Sequence, residues 1–218
     1  MSLKFARIAS LAAVAAAAGF SLWARNQLPD APIATHFDAT GHVNGYMPRD
    51  IALAFGPVFT LVLVVIMLWL IPAIMPKKGS LERSSEAYGA AVVILSLFVS
   101  FIHFGLIARA LHYPIDVPRW ALAGIGLLFI VIGNYLPKTR YNYVMGIRCP
   151  WTLASEEVWD KTHRVAGPLH VLLGLAVLAD AILAPFPQAY LFMVGAAVAV
   201  SLICVAYAYF VAKRLGVA

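Results

Sequence analysis

The sequence has 218 residues, of which 62% are apolar and 12% are charged, with a formal net charge of +6. A soluble domain normally carries about 25% charged residues, because its surface must be hydrated. The composition therefore excludes an ordinary soluble globule and indicates a surface that meets a lipid bilayer. Lys and Arg stand in short clusters between apolar runs, which favours contact with lipid headgroups, and no direct nucleic-acid partner is expected.

Six apolar stretches are long enough to cross a bilayer, since a hydrocarbon core of about 30 Å needs about 20 residues of helix. They cover residues 5–24, 51–75, 87–111, 120–137, 168–186 and 188–211. The first is Ala-rich like a signal peptide, but Trp23 and Arg25 resemble an interfacial end more than a cleavage site, so we expect it to be retained. The sequence predicts an all-α membrane bundle of about six helices.

The charges of the connecting segments predict the orientation of this bundle. Alternate connections carry twelve and four of the sixteen Lys and Arg residues. The richer set is expected in the cytoplasm, with both termini inside. The twelve are Lys4, Arg7, Lys77, Lys78, Arg83, Lys138, Arg140, Arg148, Lys161, Arg164, Lys213 and Arg214; the four are Arg25, Arg49, Arg109 and Arg119.

The connection over residues 25–50 faces outward in this scheme. Pro29 and Pro32 hold it extended, and apolar and polar residues then alternate over Ile33 to Asp38, as in a short strand. Ala39-Thr40-Gly41 predicts a turn, and Asn44-Gly45 is a second, strong turn signal. Together these signals predict a small ordered hairpin at the membrane surface.

Metal ligation is one interpretation of the hairpin's polar side chains. His36, Asp38 and His42 could converge on a divalent cation, but their spacing matches no known ligand pattern. The alternative is that Asp38 accepts hydrogen bonds from turn amides while the histidines are solvated or packed. No metal and no cofactor are expected on balance.

The connection over residues 138–167 faces the cytoplasm. Thr152 or Ser155 can cap a helix whose first turn carries Glu156 and Glu157, and this helix should lie on the membrane surface before the fifth span begins at Gly167-Pro168. Two interpretations stay open: an amphipathic connector that anchors the bundle, or a docking surface. For the docking surface, the groups to test first are Glu156, His163 and Arg164.

Recognisable motifs lie in this connection. They are Gly133-Asn134-Tyr135-Leu136-Pro137-Lys138-Thr139-Arg140, Gly146-Ile147-Arg148, Pro150-Trp151-Thr152-Leu153 and Ser155-Glu156-Glu157-Val158-Trp159 with Lys161-Thr162-His163-Arg164. Together they strongly resemble the SdpI family of bacterial membrane proteins. The outer Leu28-Pro29-Asp30, His36-Phe37-Asp38, Gly41 and Asn44-Gly45-Tyr46 resemble the domain of unknown function that precedes it in longer members. Tyr141 and Cys149 depart from the proline and threonine expected there.

The resemblance implies a function and a location. The family's named member is an immunity protein against a secreted peptide toxin, and it also holds a cytoplasmic repressor at the membrane. The expectation is therefore a multi-pass protein of the bacterial inner membrane that meets a peptide toxin or ligand outside and a regulator protein inside. The resemblance also divides the chain into a two-span unit, residues 1–86, and an SdpI-like four-span unit, residues 87–218.

The candidate ligand- and partner-binding residues lie in the two polar connections, apart from Asn134 near the end of the fourth span. They are His36, Asp38, Gly45, Tyr46, Asn134, Lys138, Arg140, Asn142, Arg148, Trp151, Thr152, Glu156, Trp159, His163 and Arg164.

Ionisable side chains at membrane depth are a second set of candidates, because burying them in lipid is costly. His103, Arg109 and Asp180 stand in predicted spans. We expect Arg109 and Asp180 to pair, and a proton or ion path through His103 and Asp180 is the alternative.

Glycines in the spans predict close helix packing. They are Gly105, Gly124, Gly126, Gly133, Gly174 and Gly195.

Two further functions compete with the receptor interpretation. An interfacial enzyme could use Glu156, His163 and the arginines on a lipid phosphate, although the sequence has no HExxH, no GxSxG and no paired intramembrane aspartates. A small transporter would need broken helices at matching positions of two halves, whereas Pro57 and Pro72 both fall in the second span.

Overall fold

The computed structural model describes residues 2–74 and 81–217, and within them the helical bundle is confirmed. Lys77 and Lys78 of the charge count, and Met75 at the predicted end of the second span, lie outside the described residues. Six of the described helices are long and apolar enough to cross a membrane, and we number them spans 1 to 6. They are Leu3–Arg25, Arg49–Ile74, Ser85–Ala110, Val117–Lys138, Glu156–Leu183 and Phe186–Arg214.

Several span boundaries follow from local hydrogen bonding. Ser2, Asp116 and Ser155 precede spans 1, 4 and 5, and the side chain of each accepts a hydrogen bond from a first-turn amide. Span 2 contains a π-helical turn, Ile66–Leu70, and span 4 ends in a 3₁₀ turn, Leu136–Lys138. A short helix, Pro150–Ala154, lies between spans 4 and 5.

Span 5 differs from the prediction of a surface helix followed by a separate membrane helix. The two are one continuous helix of 28 residues with Pro168 inside it. The packing explains the continuity, because Gly167 lies directly against Pro137 of span 4, where an added Cβ would come 2.5 Å from the proline ring. This contact with span 4 supports the helix where Pro168 removes a backbone hydrogen bond.

Spans 4 and 5 make the most extensive contact between described spans, and paired glycines lie in it. A Cβ on Gly126 would lie 2.9 Å from the Gly174 carbonyl oxygen, and one on Gly133 would lie 2.7 Å from that of Gly167. Absent side chains thus let the two backbones touch, as the sequence predicted for Gly126, Gly133 and Gly174. The prediction is wrong for Gly195, where no atom lies within 4 Å of an added Cβ.

The connection between spans 1 and 2 forms the predicted hairpin. Strand β1, Ile33–Phe37, pairs antiparallel with β2, Val43–Met47. The turn predicted at Asn44-Gly45 is wrong, because both residues lie in β2. The chain reverses earlier, where Gly41 adopts a φ of +88° and the Asp38 carboxylate accepts turn amides.

Packing places the connections at two opposite ends of the bundle. Leu3 and Val144 pack into one apolar cluster with Tyr88, and Leu215 packs in another with Val158. Leu3 and Leu215 therefore lie at the same end of the bundle as residues 138–155, which we call the inner loop. The β-hairpin lies at the opposite end, beside spans 1, 2 and 3. That the inner loop is cytoplasmic remains the prediction of the charge bias.

Candidate functional site

The inner loop is built around two aromatic side chains of span 5. Trp159 and His163 are both 0% exposed, and their rings stack at a centroid distance of 4.1 Å. Their spacing of four residues places them on one helix face. Trp159 donates its indole N–H to the Thr139 carbonyl at 3.1 Å, which fixes the start of the loop.

Hydrogen-bond partners determine the proton position on His163. Its Nδ1 lies 2.8 Å from the Trp159 carbonyl oxygen, which can only accept, so Nδ1 carries the proton. Its Nε2 lies 2.9 Å from the Ile147 backbone nitrogen and accepts that N–H. Both ring nitrogens are therefore occupied by backbone groups, and the buried imidazole has no free position for proton transfer to a lipid phosphate.

Asn142 and Thr152 hold the rest of the loop, and both are 0% exposed. The Asn142 amide donates to the Arg140 carbonyl at 2.7 Å, and its oxygen accepts the amides of Val144 and Met145 at 2.8 and 2.9 Å. Thr152 Oγ1 donates to the Ile147 carbonyl at 2.8 Å and accepts the Cys149 amide. These side chains replace the regular backbone hydrogen bonds that a loop lacks.

Gly146 provides the closest approach between loop and helix. Its φ is +109°, and an added Cβ would lie 2.5 Å from His163 Nε2 and 3.0 Å from the Trp159 ring. Only glycine suits both the backbone conformation and the space.

Polar contacts join the loop to the start of span 3. Ser84 Oγ accepts the Arg140 amide at 2.9 Å and donates to the Arg140 carbonyl at 3.2 Å. The Arg83 guanidinium faces the Glu156 carboxylate, with N–O distances of 3.4 and 3.5 Å. Sequence reasoning missed Ser84, because nothing in its local pattern shows a partner 56 residues away.

The predicted binding residues of this region therefore divide into two groups. Asn142, Thr152, Trp159 and His163 are fully buried and support the loop from inside, and their predicted contact with a partner stays a prediction. The charged side chains of the region are exposed. They are Lys138, Arg140, Arg148, Glu156 and Arg164.

The exposed charges differ in their pairing. Lys138 lies 3.5 Å from Glu86, and Arg140 lies 3.8 Å from Asp160. Within the described residues, Arg148 and Arg164 form no ion pair; Arg148 donates to the Tyr143 carbonyl at 2.8 Å. Positive charge that no carboxylate of the described chain neutralises is therefore concentrated on these two arginines.

Two further predicted binding residues, Trp151 and Asn134, lie near the loop, as does Tyr141. Trp151 is partly buried and packs edge-on against Tyr209 of span 6 at 5.2 Å. Asn134 is exposed but bonds the Ile130 carbonyl of its own helix. Tyr141 donates to the Leu153 carbonyl, and its hydrogen bond with the Tyr143 hydroxyl raises the Tyr141 pKa.

At the other end, the hairpin's polar side chains bond one another. Asp38 Oδ1 accepts the Thr40 hydroxyl and amide and the His42 amide within 3.0 Å, and the hydrogen bond from the Thr40 side chain is the main cause that lowers the Asp38 pKa. His36 donates to the Asn44 amide oxygen at 2.6 Å. The metal interpretation of His36, Asp38 and His42 gains no support, since no metal-holding group of three such residues occurs in the described chain.

Gly45 and Tyr46 lie in β2. An added Cβ on Gly45 would lie 2.8 Å from His36 Cβ across the sheet, so the glycine allows close strand pairing. Tyr46 is 65% exposed, which leaves its ring available for contact at the membrane surface.

The predicted Arg109–Asp180 pair is wrong. The Arg109 guanidinium lies over the Phe37 ring at 5.4 Å, which fixes the hairpin on span 3. Asp180 Oδ2 is buried with no hydrogen-bond partner in the described chain. The pairing fails because the hairpin, rather than span 5, covers Arg109.

His103 instead joins three spans. Ser21 Oγ donates to the Leu53 carbonyl at 2.8 Å, so it must accept from His103 Nε2–H, 2.7 Å away. The imidazole packs directly on Gly56 of span 2, where an added Cβ would come within 2.4 Å. The sequence indicated His103 but not Ser21, since a lone serine in an Ala-rich helix carries no local signal.

Comparison with known proteins yields two family matches. Residues 138–208 match the SdpI/YfhL protein family, and residues 12–61 match DUF1648, a domain of unknown function. The chain is also similar to the "Immunity protein SdpI" of Bacillus subtilis (strain 168), at 24% identity over 131 residues, which are 60% of this chain and 62% of that relative. No solved structure matches the chain significantly. The predicted resemblance is confirmed.

Proposed function

We propose that this chain, whose residues 138–208 match the SdpI/YfhL protein family, is an immunity-type protein of a bacterial inner membrane. In this role the hairpin end meets an extracytoplasmic peptide toxin. The inner loop presents a positively charged surface to a cytoplasmic regulator protein.

The observation that carries the proposal is the contrast between buried and exposed polar side chains around the inner loop. Buried Asn142, Thr152, Trp159 and His163 hold the inner loop by hydrogen bonds and packing. Arg148 of the loop and Arg164 of span 5 are exposed and have no carboxylate partners in the described chain. A rigid loop loses little conformational entropy on binding, and unpaired guanidinium groups favour an acidic partner. This combination favours a protein-binding surface over a passive membrane anchor.

The hairpin supports the outer half of the proposal. It is an ordered element at the end of the bundle away from the loop, and spans 1, 2 and 3 contact it through Ile33 and its neighbours. An ordered element on each side is what a receptor requires, since a ligand outside can act inside only by stabilising one state of the connecting bundle.

Protection is tested by replacing SdpI of Bacillus subtilis with this chain. The cells are grown beside a strain that keeps SdpI, and membrane insertion is checked by fractionation. We expect the replacement cells to grow better than cells without any immunity protein. If the replacement cells grew no better than cells without any immunity protein, although the chain inserted normally, the proposed immunity function would be contradicted.

The inner surface is tested with the double variant Arg148→Glu and Arg164→Glu. Cytoplasmic proteins are cross-linked to the full chain in cells and identified by mass spectrometry. A specific acidic partner should disappear in the double variant and persist in the matched control Arg214→Glu, an exposed charge outside residues 138–208. Identical cross-linked partners in both variants would refute the proposed surface.

A further inference from the structure

A cavity of about 290 Å³ lies between the β-hairpin and spans 3, 4 and 6. We call it the outer groove. Ten side chains from the three spans form one wall, and all but the edge of Tyr190 are apolar. They are Ile102, Leu106, Val117, Pro118, Ala121, Leu122, Ile125, Phe186, Tyr190 and Met193.

The opposite wall of the groove is the edge of strand β1. Three consecutive residues of β1, 35–37, line it together with residues 38 and 39 of the turn, whereas no residue of β2 is among its described lining residues. Side chains of a strand alternate between two faces, so a cavity on one face would be lined by every second residue. The pairing of β1 with β2 is irregular on both sides of His36, so alternation is interrupted there. Lining by residues of β1 and by none of β2 indicates that the free backbone edge of β1 borders the groove.

This edge lacks a partner strand. Within the described chain the sheet has two strands, and β1 pairs with β2 alone. The edge of a strand presents unpaired backbone N–H and C=O groups that can pair with another extended chain. Near a bilayer these groups need partners, because lipid tails offer none.

The charged side chains around the groove already have partners within the protein. Arg119 lies 3.3 Å from Asp116, the Arg109 guanidinium covers the Phe37 ring, and the Asp38 carboxylate accepts the turn amides. An occupant therefore needs no charged side chain here.

We propose that the outer groove is the docking site for an extended, uncharged peptide segment, which adds to the edge of β1 while its apolar side chains pack against spans 3, 4 and 6. The mode is β-strand addition, in which backbone hydrogen bonds supply affinity and side-chain pockets supply specificity. The biological role of this site rests on the proposed immunity function, in which the segment belongs to the toxin.

A lipid acyl chain is the competing occupant, and it differs in a measurable way. It could fill the apolar wall but would leave the polar edge of β1 unpaired. The dependence of binding on backbone N–H groups therefore separates the two.

The probe is an acetylated and amidated pentapeptide of alternating valine and threonine that carries a benzophenone group. It is photo-cross-linked to the full chain in phosphatidylcholine–phosphatidylglycerol nanodiscs, and the sites are mapped by mass spectrometry. We expect cross-links at residues 35–39 or 117–125. In a second peptide, alternate backbone nitrogens are methylated. Its cross-linking yield should fall by at least about fivefold, which is the effect expected from the loss of one hydrogen bond.

Two substitutions test the groove itself. Ala121→Trp fills it from span 4, and Ala39→Trp fills it from the exposed hairpin without altering helix packing. Both should abolish the cross-link. The matched control Ala54→Trp, on an exposed face of span 2, should retain it.

Equal cross-linking by the methylated peptide would overturn the proposal in favour of an acyl-chain site. Absence of cross-links, or insensitivity to both groove-filling variants, would overturn it altogether. Cross-linking in nanodiscs is independent of protection in cells. A wild-type chain that protects cells while failing the cross-linking test retains the immunity function and loses the groove, and the reverse result retains the groove.

Discussion

The substitution His163→Leu tests whether the inner loop depends on its buried imidazole. Leucine keeps an apolar side chain of similar bulk, but it removes the acceptor of the Ile147 amide, 2.9 Å from Nε2, and the ring stacked on Trp159 at 4.1 Å. An unsatisfied amide costs about 1–3 kcal/mol and a lost aromatic pair costs about 0.5–1.5 kcal/mol. We therefore expect the free energy of loop opening to fall by about 2–4 kcal/mol.

Hydrogen exchange of the purified chain in nanodiscs measures this opening directly. Because about 1.4 kcal/mol corresponds to a factor of ten, exchange of the amides over residues 139–149 should accelerate roughly 30- to 700-fold. Exchange in spans 1 and 2 should not change. The matched control Arg164→Gln alters the next residue of the same helix, whose side chain is exposed and without a hydrogen bond in the described chain.

Unchanged exchange over the loop in His163→Leu would refute the assignment of His163 as an interior support. Equal acceleration in Arg164→Gln would refute it as well, because the effect would then reflect helix fraying at the membrane surface.

Three further predictions follow from the same hydrogen-bond geometry. Gly146→Ala introduces a methyl group 2.5 Å from the imidazole at a φ of +109°, so the inner loop should become more sensitive to protease in inside-out vesicles. Ser21→Ala leaves the His103 Nε2–H unsatisfied and should lower the free energy of unfolding in detergent by about 1–3 kcal/mol, whereas Ser201→Ala, on an exposed face, should leave it unchanged. The pKa of Asp38 is lowered in the folded turn, so its stabilisation is present above the ordinary carboxylate value of about 4 and lost as the pH falls through the folded pKa, which NMR amide shifts of the turn would report.

Hydrophobic length and charge bias in the sequence were sufficient to predict the six helices. A run of about 20 apolar residues satisfies its backbone hydrogen bonds only as a helix in lipid, so the number of helices depends on local composition. The hairpin was predictable for a similar reason, since Gly41 and Asp38 form the turn within a few residues of one another. The competing signal at Asn44-Gly45 was misleading, because the earlier turn places both residues opposite β1.

Side-chain roles in the candidate site depend on contacts between distant segments, which no local pattern contains. Trp159 and His163 looked like exposed binding residues of a surface helix, but Gly146 and Ile147 cover them in the folded chain. Arg109 was predicted to pair with the Asp180 carboxylate at similar depth, but its guanidinium lies over the ring of Phe37.

The sequence by itself determined the number of spans, the alternation between connections rich and poor in Lys and Arg, and the likeness to a family. These properties follow from composition and local order along the chain. Only the tertiary structure decided which polar side chains support the inner loop and which remain exposed, and that a strand edge faces an apolar groove. The physical reason is that burial and hydrogen-bond pairing are properties of neighbours in space, and the neighbours of Ser84, Arg109 and His163 stand 16 to 72 residues away along the chain.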